Sequence, residues 1–349
     1  MAVGLPLKTT YANGDVYSAS DVNDTNGTVN LTAAPYAAGK NKFLNGDFSI
    51  WQRGTTINFS AAGGYVADRW KSDAGGGGVL AVTRQAFTPG QTDVPNAIYF
   101  LQAAYTTSGT GTVVLEQRIE DVNTFAGQTV TLSFYAKVNT GTKSVTPRLV
   151  QDFGSGGSGG VLTNLTAQTL TTSWQRFTIT TTVPSISGKT VGTSSYLRID
   201  LDSGTSGVLT FSFANFQVEA GSTATAFQTA TGTLQGELAA CQRYYWRATS
   251  PTNYTSYANG QAYNSTQAVM VVYNPVPMRT GAASIEYTLL GAYNSAGSPI
   301  AITSIALLYV APITSTLAIS VASGLTAGNA TILSAQNSTS AYLGFSAEL

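Results

Sequence analysis

The sequence predicts an all-β protein: an antiparallel jelly-roll sandwich followed by a second, smaller β domain, the two joined by one short helix. Three observations carry this expectation. Apolar and polar residues alternate with period two over several short stretches, as half-buried strands require. Glycine-rich runs at 75–78 and 154–160 separate them as loops. The composition is that of strands and polar turns, with 18 Tyr, 14 Phe and 36 Gly but only 10% charged residues. A chain of 349 residues is long enough for two domains and a short arm.

Residues 1–40 contain Tyr11-Ala-Asn-Gly14 and Asn26-Gly27, both turn signals, and few large apolar groups. They read as an arm that orders against a partner or as a frayed terminus. Residues 41–230 form the predicted sandwich. Val130, Leu132, Phe134, Ala136 and Val138 face one way and Thr131, Ser133, Tyr135 and Lys137 the other. Leu197, Ile199 and Leu201 repeat the pattern, and Phe177, Ile179 and Val183 supply a third strand. Over 208–218 the apolar phase slips from Leu209, Phe211 and Phe213 to Phe216 and Val218, which predicts a bulge near Ala214-Asn215. Trp51, Trp70 and Trp174 are assigned to the core from their apolar neighbours.

Residues 231–249 are the connecting segment. Leu234, Leu238, Cys241 and Tyr245 form one stripe of a helix over 233–248, with Glu237 early and Arg243 and Arg247 late, as the helix dipole favours. Residues 250–349 return to strands at 267–273, 285–290, 300–310, 316–321 and 341–346, with a turn or edge at Pro275 and Pro277. Between Ala248 and Gly344 the only charged residues are Arg279 and Glu286. A free domain of this size normally carries a charged surface, so a homo-oligomer that hides the barren one is expected.

The chain has no histidine and one cysteine. No Ser-His-Asp or Cys-His arrangement, no Cys/His zinc site and no intramolecular disulfide can be built. Seventeen basic residues balance seventeen acidic ones, without the basic surplus of a nucleic-acid binder. No stretch is long and apolar enough to insert in a membrane and no secretory leader is visible. Gly156-Gly-Ser-Gly-Gly160 fits a nucleophile elbow only formally, and Ser187-Gly-Lys-Thr190 lacks the first glycine and the strand-to-helix context of a phosphate loop. Sequons such as Asn253-Tyr-Thr255 are expected by chance in a chain so rich in Asn and Thr.

Two carboxylate pairs, Asp200 with Asp202 and Glu116 with Glu120, have the spacing for acid–base chemistry on one strand face, or for a solvated face with local ion pairs. The same outward positions suit ligand binding: Tyr135 and Lys137 on one strand with Tyr196, Arg198, Asp200 and Asp202 on another would line a concave sheet, where rings stack on sugars and charged groups bind hydroxyls. A merely exposed polar face reads equally well. Tyr254, Tyr257 and Tyr263 are further contact candidates by position.

Five segments occur in order: Phe43-Leu-Asn-Gly-Asp-Phe-Ser-Ile-Trp-Gln-Arg-Gly54, Ala67-Asp-Arg-Trp70, Glu237-Leu-Ala-Ala-Cys-Gln-Arg-Tyr-Tyr245, Val276-Pro-Met-Arg279 and Ala347-Glu-Leu349. Together they make residues 41–349 resemble tail-fibre and related virion structural proteins of tailed bacteriophages. That resemblance implies a homotrimer in the virion tail, made in the host cytoplasm, anchored to other tail proteins by the arm and touching a host-surface glycan without turnover. A tail polysaccharide depolymerase and a purely structural collar or decoration protein are the alternatives. The Asn45-Gly-Asp-Phe48 opening and Phe213-Ala-Asn-Phe-Gln-Val-Glu219 closing strand also resemble jelly-roll carbohydrate-binding modules. There a calcium ion often joins first and last strands; Asn45, Asp47 and Glu219 match those positions, although a turn cap at Asp47 and a solvated Glu219 would also account for them.

Overall fold

The computed structural model describes residues 38–110, 112–205, 207–294 and 299–349. The predicted arm and its attachment to a tail therefore fall, up to residue 37, outside the described residues.

The sandwich is built from two antiparallel sheets. In the first, β1 (Thr56–Ser60), β4 (Val79–Ala86), β5 (Tyr99–Thr107), β13 (Thr210–Ala220), β7 (Thr129–Val138) and β11 (Gln175–Thr182) lie in that order. In the second the order is β10 (Gln168–Leu170), β8 (Lys143–Asp152), β12 (Tyr196–Gly204), β6 (Thr112–Glu120), β3 (Trp70–Asp73) and β2 (Gly63–Tyr65), with β9 (Val161–Asn164) also on β8. Leu80, Val82, Leu101, Phe134, Phe211, Phe213, Leu197, Ile199 and Leu115 fill the space between them. The alternation that predicts β7 and β12 is borne out, because one face of each strand meets the opposite sheet. The bulge is also present: the β13–β7 register shifts between Ala214 and Gln217.

Helix α1 spans only Leu234–Gln242, shorter than predicted, with Thr233 as its N-cap accepting the Gly236 N–H. Its inner face is only in part the predicted one, since Cys241 of the stripe is buried but Leu234 and Leu238 are not. Leu234 is 63% exposed, while Glu237 and Cys241 are buried. Glu237 turns inward because its carboxylate accepts the backbone N–H groups of Asn45 and Thr231, at 2.8 and 2.7 Å. Tyr245, predicted on the helix stripe, instead opens strand β14 (Tyr245–Thr249).

The second domain is more closed than expected. β15 (Ser256–Ala262), β16 (Gln267–Tyr273), β20 (Thr314–Val321), β19 (Pro299–Val310), β18 (Leu290–Tyr293) and β21 (Ala330–Ala335) form a closed barrel. Ala268, Met270, Leu317, Ile319, Leu333 and Ala335 fill it. Gly260 permits the closure: a Cβ there would lie 1.9 Å from the Val269 carbonyl oxygen. Beside the barrel, β14, β22 (Tyr342–Ser346) and β17 (Ser284–Thr288) make a three-stranded sheet.

The five sequence segments meet where sandwich and barrel join. The Asn45 side chain ties Ile50 and Asp68 together: its amide donates to both carbonyls and its oxygen accepts the Ile50 N–H. The Trp70 indole donates to the Asn45 carbonyl at 2.9 Å. Gly46 lies so close to Phe216 that a Cβ would sit 2.2 Å from its carbonyl oxygen. Arg69 and Arg53 both pair with Glu348, and Arg53 stacks 3.4 Å from the Tyr245 ring centre. Arg279 donates to the Ala347 carbonyl and, through its own N–H, to the Arg243 carbonyl. The Ala347 N–H donates to the Tyr244 carbonyl at 2.7 Å.

Candidate functional site

The two halves of the predicted binding face lie on opposite sides of the molecule. Tyr135 and Lys137 are on β7 in the first sheet, while Tyr196, Arg198, Asp200 and Asp202 are on β12 in the second. Alternation correctly places each set outward; it cannot tell which sheet a strand joins.

On the second sheet the outward residues form a lattice of ion pairs. Arg148 binds both Asp200, at 2.6 Å, and Asp202. Arg198 lies 2.9 Å from Asp200 and 3.6 Å from Glu116, and Arg118 and Lys71 lie 3.3 and 3.4 Å from Glu116. The Arg118 guanidinium also sits 4.8 Å from the Tyr196 ring centre. Burial pushes the Asp200 carboxyl up, against the pull of Arg148 and Arg198. A cleft of about 320 Å³ opens beside this lattice, between Gly63, Gly64 and Arg198. The predicted Glu116–Glu120 pair is divided: Glu120 turns to Arg243 and the Tyr244 hydroxyl. Every carboxylate that the sequence offered for acid–base work is thus engaged by a cation.

The outward face of the first sheet is different. Trp174, assigned to the core from sequence, is half-buried on this outer face, with Lys137 Nζ 5.2 Å from its ring centre. Phe87 and Phe100 complete a trio, with centroid separations of 4.8, 5.3 and 5.4 Å. Strand order β5-β13-β7-β11 puts about 14 Å between the backbones that carry Phe100 and the start of β11. The rings therefore lean toward each other across β13 and β7. Ser212 and Ala214, outward by phase on β13, are buried beneath this roof. Sequence reasoning missed Phe87 and Phe100 because they belong to a loop edge and to a strand whose neighbours it does not specify.

Next to the roof is a recess of about 150 Å³ lined by Pro95, Asn96, Tyr135, Arg176, Asn215, Ala226 and Phe227. The bulge places Asn215 in the left-handed region, at φ 50°, which asparagine tolerates better than most residues. Its side-chain N–H donates to the Pro95 carbonyl at 3.1 Å; its oxygen is buried and accepts no hydrogen bond. Segment 221–228 forms the far wall. Gln217 fixes it by accepting the Gln228 N–H and donating to Glu219, and the Arg176 guanidinium donates to the Thr225 carbonyl and Ser133 hydroxyl. This cover also explains why Thr131 and Ser133, expected in solvent, are buried.

Asn45, Asp47 and Glu219 do not form an ion site. Asn45 is the junction staple described above, Asp47 accepts from the Ser49 N–H and hydroxyl, and Glu219 pairs with Lys40 at 3.1 Å and accepts from Thr225 and Gln217. Burial raises the Glu219 carboxyl, but these donors outweigh it and hold it below its ordinary value. The donor set is consumed by protein partners, so it does not fit calcium. Of the three distal tyrosines, Tyr254 and Tyr263 are exposed, whereas the Tyr257 hydroxyl donates to the Ala341 carbonyl and its ring packs on the barrel core.

No protein-family model matches the chain, and no curated protein does. Among solved structures, a xylan-binding module of family 22 from Paenibacillus barcinonensis is 15% identical, with a TM-score of 0.32, over 48% of this chain and 95% of that one. The C-terminal family 22 carbohydrate-binding module of Clostridium thermocellum xylanase 10B is 12% identical, with a TM-score of 0.34, over 54% of this chain and 99% of that one. The enzymatically active domain of bacteriophage CBA120 tailspike protein 4 is 14% identical, with a TM-score of 0.32, over 52% of this chain and 21% of that one. These are likenesses of strand arrangement alone.

Proposed function

We propose that the chain is a structural component of a phage tail fibre that attaches to host-surface glycans through the outer face of its first sandwich sheet. The observation that carries this reading is the roof of Phe87, Phe100 and Trp174. Three large rings stay half-exposed at the surface, bordered by the polar groups of Lys137, Tyr135 and Arg176. Rings offer apolar faces to sugar C–H groups while the polar border binds hydroxyls. Single contacts of this kind are modest, and several copies acting together raise the avidity.

The charge-free barrel supports a homo-oligomer, which we take to be the trimer of a fibre, and the five junction segments support the virion assignment. No turnover belongs to this reading, because Asp200 and Asp202 share one arginine. Binding of purified protein to immobilised bacterial polysaccharides tests it. Trp174→Ala is expected to lower the affinity at least tenfold with the melting temperature little changed. Equal binding by the variant, or reducing ends released from the polysaccharide by the wild type, would remove the proposal.

A further inference from the structure

The recess beside the ring roof has a chemistry more particular than that of a general sugar platform. Its floor holds one buried hydrogen-bond acceptor without a partner, Asn215 Oδ1. The identity of that atom is set by its neighbour: the amide must turn its N–H to the Pro95 carbonyl, which makes the unpartnered atom of this lining residue the oxygen. Asn215 is only 3% exposed, so water reaches it poorly, and an unmet acceptor there is costly. Part of the lining is apolar, from Pro95, Ala226 and the Phe227 ring. The remainder of the lining includes two residues that carry donors, Tyr135 and Arg176. The arrangement is rigid, because Gln217 and Arg176 tie segment 221–228 to the sheet.

A ligand that satisfies all three features carries an N–H for Asn215, a carbonyl for Tyr135 or Arg176, and a small apolar group for the Phe227 side. A hydroxyl or hydroxymethyl group meets the first two but leaves the apolar wall unmatched. A carboxylate has no proton to give Asn215. We infer that the recess receives the acetamido group of an N-acetylated amino sugar, with its N–H donated to Asn215 Oδ1 and its methyl against Phe227 and Ala226. This deepens the glycan reading above and rests on it: the rings hold the sugar chain and the recess selects among sugars.

Titration calorimetry of the whole protein with two β-1,4-linked tetrasaccharides, of N-acetylglucosamine and of glucose, tests the inference. The acetylated sugar is expected to bind at least tenfold more tightly. Asn215→Gly removes the acceptor while tolerating the positive φ, and Ala226→Phe fills the recess from its exposed rim without touching the core. Each variant is expected to bring the two sugars within about twofold of each other while leaving the glucose sugar bound as before. Equal affinities for the wild type would overturn the acetamido assignment and leave the ring-face reading intact. A preference that survives in both variants would overturn the recess as its origin. Binding of neither sugar would overturn both readings.

Discussion

The sandwich wears its charges on the outside: on the second sheet Arg148, Arg198, Arg118 and Lys71 interleave with Asp200, Asp202 and Glu116. Around the barrel there is nothing similar. The two charged residues between Ala248 and Gly344 are both directed elsewhere, Glu286 toward Arg247 and Arg53 and Arg279 toward Ala347. What remains on the barrel wall is Val269, Val271, Leu308, Val310 and Ile332, with Tyr273 and Tyr309 each 76% exposed. Strand register puts Ile332, Val271 and Tyr309 in one row, through Asn259 and Thr316. The sandwich surface is complete in water. The barrel surface offers no charge with which a charged partner could pair. Between them sits a junction in which the buried Arg53 and Arg69 pair with Glu348.

The largest expected effects come from breaking either side of that junction. Trp70 packs among Phe43, Phe48 and Phe216, and Trp70→Ala should cost about 3–5 kcal/mol. Hydrogen exchange should show the sandwich amides losing protection before those of the barrel. Glu348→Ala leaves the buried Arg69 without its carboxylate, a loss of about 3–5 kcal/mol. Calorimetry should then show sandwich and barrel melting in two transitions where the wild type is expected to show one; one undivided transition in the variant would mean that the domains are held by packing alone.

A smaller effect follows from Asp68. Burial pushes its carboxyl from 3.8 to about 6, opposed by hydrogen bonds from Gln52 and by Arg53, with Glu348 adding to the rise. A carboxyl raised on folding stabilises below its unfolded value and loses that contribution as pH climbs through the folded value. The loss runs from pH 3.8 to about 6 and amounts to about 3 kcal/mol by pH 7. Asp68→Asn should therefore melt higher than the wild type at pH 8 and show little difference at pH 4. The smallest effect on the fold itself is at the barrel wall. Val271→Lys should change the stability of a single chain by no more than about 0.5 kcal/mol, yet reduce the mass measured by light scattering to that of one chain. An unchanged mass would remove the barrel wall as the proposed contact between copies.

Much of the fold is legible from local pattern. The alternation in β7, β12, β16, β19 and β20 and the phase slip at Ala214-Asn215 specify strands, faces and a bulge, because side-chain direction in a strand depends only on parity. The strands β14, β15 and β21 were not legible: Tyr245 satisfies a helical stripe as well as a strand, and Ser256–Ala262 and Ala330–Ala335 lack a strong apolar phase. The inner face of the helix was not legible for a related reason, although Glu237 does lie in its first turn. Periodicity orients a helix by its apolar residues, and a carboxylate that faces inward to meet two amides reverses that choice.

Composition and pattern alone establish that the protein is all-β, that imidazole chemistry and an intramolecular disulfide are closed to it, and that its second domain has almost no charge. These follow from composition and from parity, which need no knowledge of neighbours. Long-range packing is what makes Tyr135 and Tyr196 face opposite ways, brings Phe87, Phe100 and Trp174 together, puts Asn215 in the lining of a recess, and gathers the five ordered segments into an interdomain clasp. Each of these depends on which strand lies beside which. Strand pairing across long loops is set by how the whole core packs, and no local stretch of chain contains it.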